Sequence, residues 1–139
     1  MERKRFEVRS MWNAKVFRCS RPWAAISISS RDDDFPVLSK YNRRGLLRLT
    51  FADTAEPDRA DSFTPTLALE LLEFAARVWE EVEILLIHCE AGLSRSPAVA
   101  AALSRIYYND DGPWFELDFP NQLVYRLLIE TNSRTRGGQ

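Results

Sequence analysis

The sequence predicts an α/β domain in which a mostly parallel sheet is flanked by helices, and three observations carry that expectation. Short apolar runs that read as strands alternate along the chain with longer segments of helical periodicity. One of the runs, "ILLIH", is apolar at every position up to its histidine, which suits a central strand buried on both faces. It is followed at once by the small-residue loop "CEAGLS" and an alanine-rich helix. In sheets of this kind ligands collect beyond the carboxyl ends of the strands.

At 139 residues, 45% hydrophobic and 12% aromatic, the chain has the apolar material for one domain with its own core. No linker, repeat or low-complexity tract divides residues 1–139. A formal net charge of -1 gives no global reason to expect nucleic acid or an anionic membrane as partner. No stretch approaches the ~18 apolar residues of a membrane span, and the basic start is not followed by a signal-peptide core, so a soluble, cytoplasmic protein is expected. Two cysteines, Cys19 and Cys89, and one histidine supply neither a disulfide framework nor a metal-ligand pattern. No metal and no cofactor is therefore expected.

Taken in order, "MERKRFEVRSMWNAKVFRCSR" crowds Arg3, Lys4, Arg5, Arg9, Lys15, Arg18 and Arg21 against only Glu2 and Glu7. It reads as a solvated, partly frayed terminus. "AAISISS", residues 24–30, and "GLLRLTF", residues 45–51, read as strands, each ending in a turn-rich segment. From Pro65 to Val82 apolar residues recur at helical spacing, with Thr64 as cap and Pro65 in the first turn. Residues 84–88 form the buried strand. After Arg95, "SPAVAAALSRIYY" has Pro97 in a first turn and high helix propensity, and "NDDGP" stops it. A last helix is expected over about 121–131, followed by the polar tail "NSRTRGGQ".

The chemistry lies between strand and helix. From Cys89 to Arg95 there are five intervening residues, enough to curl a ring of backbone N–H groups around an anion, and Gly92 supplies the turn freedom. The first N–H groups of the following helix lack intrahelical partners and its dipole is positive there, which favours a bound phosphate. Arg95 adds a planar fork that grips two phosphate oxygens at once. A thiol in that field loses its proton easily. Cys89 is then placed to attack phosphorus in line and form a phosphocysteine that water hydrolyses, with no metal required. The bland alternative makes Cys89 a small buried hydrophobe and His88 a strand-end filler, but the ordered run of strand, His, Cys, glycine-containing loop, Arg, Ser and helix speaks against it.

These residues closely resemble the H-C-x5-R-[ST] signature loop of the cysteine-dependent protein tyrosine phosphatases, and "HCEAGLSRSP" is most similar to the compact dual-specificity branch. The resemblance implies Cys89 as nucleophile, Arg95 as phosphate clamp and the main chain of Glu90, Ala91, Gly92, Leu93, Ser94 and Arg95 as the oxyanion cradle. It implies Ser96 as the hydroxyl that assists departure of the thiolate, and His88 as the neighbour that orients the loop and tunes the thiolate. The substrate class implied is a phosphorylated protein or small phosphomonoester, with phosphate as product and with neither nucleic acid nor membrane as partner. Low-molecular-weight phosphatases carry such a loop near the N-terminus, whereas here it lies about two-thirds along the chain.

Ester cleavage also needs an acid to protonate the leaving oxygen. Asp53 directly follows the second strand and precedes the helix that leads to the cysteine strand, a pattern similar to the family's acid. Asp58, Asp61 and a purely turn-stabilising role for Asp53 stay open. The W-P-D triplet of the family's usual pattern is absent. "FPNQLVYRLL" is similar to the segment that opens the last helix in many compact members, so that Asn121 and Gln122 touch the loop or position water, or Asn121 caps the helix.

Apart from Arg95 the loop "EAGLSR" carries no cation, and Glu90 adds a carboxylate. Family members that act on phosphoinositides tend to have basic loops, so the resemblance disfavours a lipid substrate and favours phosphotyrosine, with phosphoserine or phosphothreonine open. "SKYNRRG", residues 39–45, is superficially similar to the basic-aromatic loop that sandwiches phosphotyrosine, yet it is also ordinary loop composition. Cys19 is expected to pack rather than to resolve an oxidised Cys89. Trp12, Trp23, Trp79 and Trp114 are expected in the core or at interfaces. Two functions of different class remain: an active phosphomonoesterase, and a catalytically weak or inactive phosphate- or phosphoprotein-binding module that keeps the cradle.

Overall fold

The computed structural model describes residues 4–117 and 119–136. Four parallel strands, β1 (Arg5–Arg9), β2 (Trp23–Ser29), β3 (Arg43–Thr50) and β4 (Ile84–His88), form one sheet in the order β1-β4-β2-β3. The helices are α1 (Met11–Lys15), α2 (Pro65–Val78), α3 (Arg95–Tyr108), α4 (Gly112–Leu117) and α5 (Gln122–Arg136), with a single 3-10 turn at Trp79–Glu81 after α2. The expected α/β class, with its parallel sheet and flanking helices, is therefore what forms.

Period-two alternation divides the core. On one face Ala24, Ile26 and Ile28 of β2 and Leu85 and Ile87 of β4 pack under α2, α3 and α5. On the other, Trp23 and Ala25 of β2 and Ile84 and Leu86 of β4 meet Ala14 of α1, Phe17 and Leu38. Both strands are buried along their whole length, as the apolar run of β4 predicts. The chain inserts β4 between β1 and β2, so consecutive connections leave to opposite sides around it and a crevice opens beyond its carboxyl end.

Local signals account for most element ends. The Thr64 hydroxyl accepts from the Leu67 N–H at 3.2 Å and caps α2, with Pro65 in the first turn. Asn109, left-handed at φ +57°, closes α3.

Three expectations are corrected. The N-terminal segment is not frayed over residues 5–15: Phe6 and Val8 alternate inward from β1, and charged Arg5, Glu7 and Arg9 belong to an edge strand. "NDDGP" stops α3, but its Gly112 and Pro113 also start the short α4. The last helix runs to Arg136, beyond the expected 131, taking in most of the polar tail; residues 137–139 lie outside the described ones, as do Arg3 and Glu2.

Candidate active site

The strand alternation aims His88 and Cys89 to opposite faces. His88 turns to the α1 side, where its Nε2 lies against the Ser27 hydroxyl at 2.5 Å and its Nδ1 donates to the Cys89 carbonyl at 3.2 Å. In the neutral ring Nδ1 carries the proton for the Cys89 carbonyl and Nε2 accepts from the serine hydroxyl. Burial, reinforced by the charge of Arg95, holds the His88 pKa below the ordinary histidine range, against the opposing pull of the Cys89 carbonyl.

A stability prediction follows from this ring. The unfolded chain takes up a proton near pH 6.5 while the native ring refuses it, so the stability His88 contributes is intact above pH 6.5 and is lost as pH falls from there toward the lowered native value. Since His88 is the only histidine, the urea midpoint is expected to drop between pH 7.5 and 5.5, and His88→Asn is expected to flatten that slope. An equally steep slope in the variant would refute the assignment.

Cys89 turns to the α3 side, buried beneath the loop. Its Sγ receives the Gly92 N–H at 3.3 Å and stands 3.1 Å from the Ser96 hydroxyl. Gly92 is at φ +76°, and a Cβ there would sit 2.8 Å from the main chain of Arg9 and Ser10. The turn thus needs glycine both for its left-handed backbone and for its contact with the β1–α1 junction. The Met11 N–H donates to the Glu90 carbonyl at 3.0 Å across the same junction. The segment expected as a loose terminus thus braces the loop through Gly92 and Glu90, without itself lining the cleft.

Arg95 opens α3 and is 4% exposed. Its Nη1 donates to the Phe51 carbonyl at 2.7 Å and the Ser30 hydroxyl at 2.9 Å, which fixes the guanidinium from the ends of β3 and β2. Its Nη2 reaches Glu90 Oε1 at 3.3 Å, and its Nε has no partner. A buried N–H without an acceptor is costly unless a ligand supplies one. Ser30, Asp53, Cys89, Glu90, Ala91, Leu93, Ser94 and Arg95 line a cleft of about 400 Å³ there.

Asp53 also lines that cleft, from the end of β3, with the end of β2 between it and the loop after β4. Its Oδ1 accepts from the Ser94 hydroxyl at 2.8 Å and from Asn121 Nδ2 at 2.8 Å, leaving Oδ2 available. Because its hydroxyl serves Asp53, Ser94 makes no side-chain cap for α3. Asp58 and Asp61 are exposed and outside the cleft, and Asp61 is paired with Arg59 at 2.8 Å. Asn121 caps α5 through its Oδ1 and the Val124 N–H at 3.1 Å, and its main-chain N–H also touches the loop at the Ser94 carbonyl at 3.0 Å; its Nδ2 holds Asp53 and the Thr54 carbonyl, contacts the sequence does not suggest. Among the described residues the Gln122 side chain bonds the Pro120 carbonyl at 3.5 Å and does not line the cleft. Ser30 and the Phe51 carbonyl escaped the sequence reading; their one signal was position, at the ends of strands bound for the same sheet edge.

Two further readings are settled by strand direction. "SKYNRRG" leads into β3 and forms its first three residues, so it lies at the opposite edge of the sheet, with Arg43 on the Leu38 and Ser39 carbonyls and Asn42 on the Cys19 carbonyl. It does not border the cleft, so it lends no support to aryl specificity. Cys19 precedes β2 and packs with Leu46 against the α1-side cluster. The length of β2, roughly 20 Å for its seven residues, separates it from Cys89. Of the tryptophans, Trp23 is fully buried and Trp79 and Trp114 are partly buried in an aromatic cluster, while Trp12 is exposed beneath Lys15 and so is not a core residue.

No protein-family model matches the sequence, and no curated protein matches it either. Solved structures do. Human DUSP28 superposes with a TM-score of 0.66 at 14% identity, over 96% of this chain and 95% of that one. The human tyrosine phosphatase-like serine/threonine/tyrosine-interacting protein gives 0.58 at 19% identity, over 83% and 79%. PTPMT1, in complex with PI(5)P, gives 0.57 at 16% identity, over 84% and 80%.

The chain has the fold of the dual-specificity phosphatases. In this dual-specificity phosphatase fold the parallel sheet brings the ends of β2, β3 and β4 together, and the cleft lined by Cys89, Arg95 and Asp53 lies there. Among the described residues no helix is long and apolar enough to cross a membrane.

Proposed function

We propose that the chain is a single phosphatase domain over residues 1–139, a metal-independent phosphomonoesterase that acts as a protein tyrosine or dual-specificity phosphatase. The observation that carries this reading is the buried Arg95 Nε without a partner among the described residues, in the same cleft as a cysteine sulfur that accepts the Gly92 N–H and lies 3.1 Å from the Ser96 hydroxyl. The main-chain N–H groups of Glu90 to Arg95 hold the phosphoryl oxygens. Cys89 attacks phosphorus as a thiolate, the ester P–O bond breaks, and Asp53 gives a proton to the leaving oxygen. In the second step Asp53 takes a proton from water as its oxygen attacks phosphorus. The S–P bond then breaks, Ser96 donates a hydrogen bond to the departing sulfur, and phosphate leaves.

The substrate is a phosphorylated protein side chain or a small phosphomonoester. A neighbour of the same fold binds PI(5)P, but the cleft here has one arginine beside two carboxylates, Asp53 and Glu90. A nucleophilic free thiol suits a reducing compartment, which favours the cytoplasm.

Incubation of the reduced protein with para-nitrophenyl phosphate and EDTA tests the reading. Release of nitrophenol, with one phosphate trapped on Cys89 after acid quench, is the expected result. Phosphate binding without release would favour the binding module instead. For the acid, Asp53→Asn is expected to slow turnover of a poor alkyl or phenyl leaving group by about 10²-fold or more, and that of a good one little. Rates equal to wild type on both would transfer the role to Asp58 or Asp61.

A further inference from the structure

Glu90 is the loop residue with the least obvious use, because it puts a negative charge beside the anion site. Its Oε1 lies 3.3 Å from Arg95 Nη2, and the pair is asymmetric: the arginine side chain is 5% exposed, the glutamate 51%. Charge-assisted bonds of this type close to about 2.7–2.9 Å when they are tight. Nor is Glu90 needed to fix Arg95, whose Nη1 is already anchored by the Phe51 carbonyl and the Ser30 hydroxyl.

Charge in the cleft is then easily stated. Among the lining residues Arg95 is the one cation, and Asp53 and Glu90 are both carboxylates. The Ser30 hydroxyl and the Arg95 guanidinium hold the Glu90 carboxyl below the usual carboxylate range, so it is ionised at neutral pH.

We infer that Glu90 is a specificity-determining residue: its carboxylate offsets the charge of Arg95, so that the cleft accepts a single phosphoryl group on an uncharged arm and rejects ligands with a second phosphate nearby. The basis is the 3.3 Å contact on an arginine that still has a free Nε–H. A first phosphate gains the cradle and that free donor, which together outweigh the repulsion from Glu90. A second phosphate finds no further cation among the lining residues and meets the Glu90 carboxylate in addition to Asp53. The same repulsion weakens the hold on the product, inorganic phosphate. This inference rests on the phosphate-binding reading of the loop.

Equilibrium binding of inorganic phosphate and of pyrophosphate to the full chain tests it, with Glu90→Gln, which keeps an acceptor oxygen, and Asp32→Asn, which removes an exposed carboxylate that lies outside the cleft lining. Glu90→Gln is expected to tighten phosphate by about 3- to 10-fold, the size of one like charge a few ångströms away at a protein surface, and pyrophosphate by more. Asp32→Asn is expected to leave both within about twofold, given screening between exposed charges. Unchanged or weaker phosphate binding by Glu90→Gln would overturn the inference and make Glu90 a brace for Arg95. An equal gain from Asp32→Asn would overturn it in favour of general surface charge. If wild type and both variants fail to bind phosphate at all, the phosphatase reading itself falls.

Discussion

Cys89→Ser is expected to lower turnover of para-nitrophenyl phosphate by about 10⁴-fold or more, the scale on which loss of a covalent nucleophile is felt. The substitution changes one atom in a buried position beside Ser96 and beneath the Gly92 N–H. A serine hydroxyl in that place stays protonated and is a poor nucleophile toward phosphorus. The cradle and Arg95 are untouched, so the variant should still bind inorganic phosphate, with affinity within a few-fold of wild type. Steady-state assay and phosphate titration on the same preparation check both halves. Turnover that survives the substitution would remove Cys89 from the mechanism.

Arg95→Lys is expected to cost about 10²- to 10³-fold in kcat/KM, the size of losing one preorganised donor to the transition-state charge. Here phosphate binding should weaken as well, which separates this variant from Cys89→Ser. Charge is conserved, but the planar fork is not: Nη1 bridges the Phe51 carbonyl and Ser30 while Nε remains free for a ligand. An ammonium group cannot hold both anchors and still present two donors to phosphate oxygens. Circular dichroism and a urea midpoint are the controls, because Arg95 is buried at the start of α3. Near-wild-type kcat/KM in a folded variant would show that charge alone suffices.

Much of this fold is readable along the chain because its devices are local. The buried run 84–88, the Thr64–Pro65 start of α2 and the Pro97-containing start of α3 each state their structure within a few residues. The N-terminal strand is hard to read because four charged residues among Lys4–Arg9 mask a period-two pair, Phe6 and Val8. An edge strand carries charge on its outer positions, and its identity depends on β4, some eighty residues later, being there to pair with it. The tail "NSRTR" likewise shows little apolar periodicity, yet it continues α5.

The same division holds for the cleft. The run from Cys89 to Ser96 could be read as one unit because a strand, a glycine turn and a helix start put those atoms together by chain connectivity alone. Asp53 was a position among three, and Asn121 a choice between two roles. Hydrogen bonds from Ser94 and Asn121 to one oxygen of Asp53, drawn from segments 41 and 68 residues away, distinguish it from Asp58 and Asp61. The placement of "SKYNRRG" and Cys19 at the far edge depends on strand direction, which composition does not encode.

By itself, then, the sequence determined an α/β fold and the order of strand, glycine-containing loop and helix from Ile84 to Tyr108, since both follow from periodicity and from the order of neighbouring residues. Only the tertiary structure decided which distant groups face that loop: β1 against Gly92, Phe51 and Ser30 on Arg95, and Asn121 on Asp53. The physical reason is that a parallel sheet sends every strand's carboxyl end to one edge, and side chains that meet there are neighbours by strand order rather than by chain position.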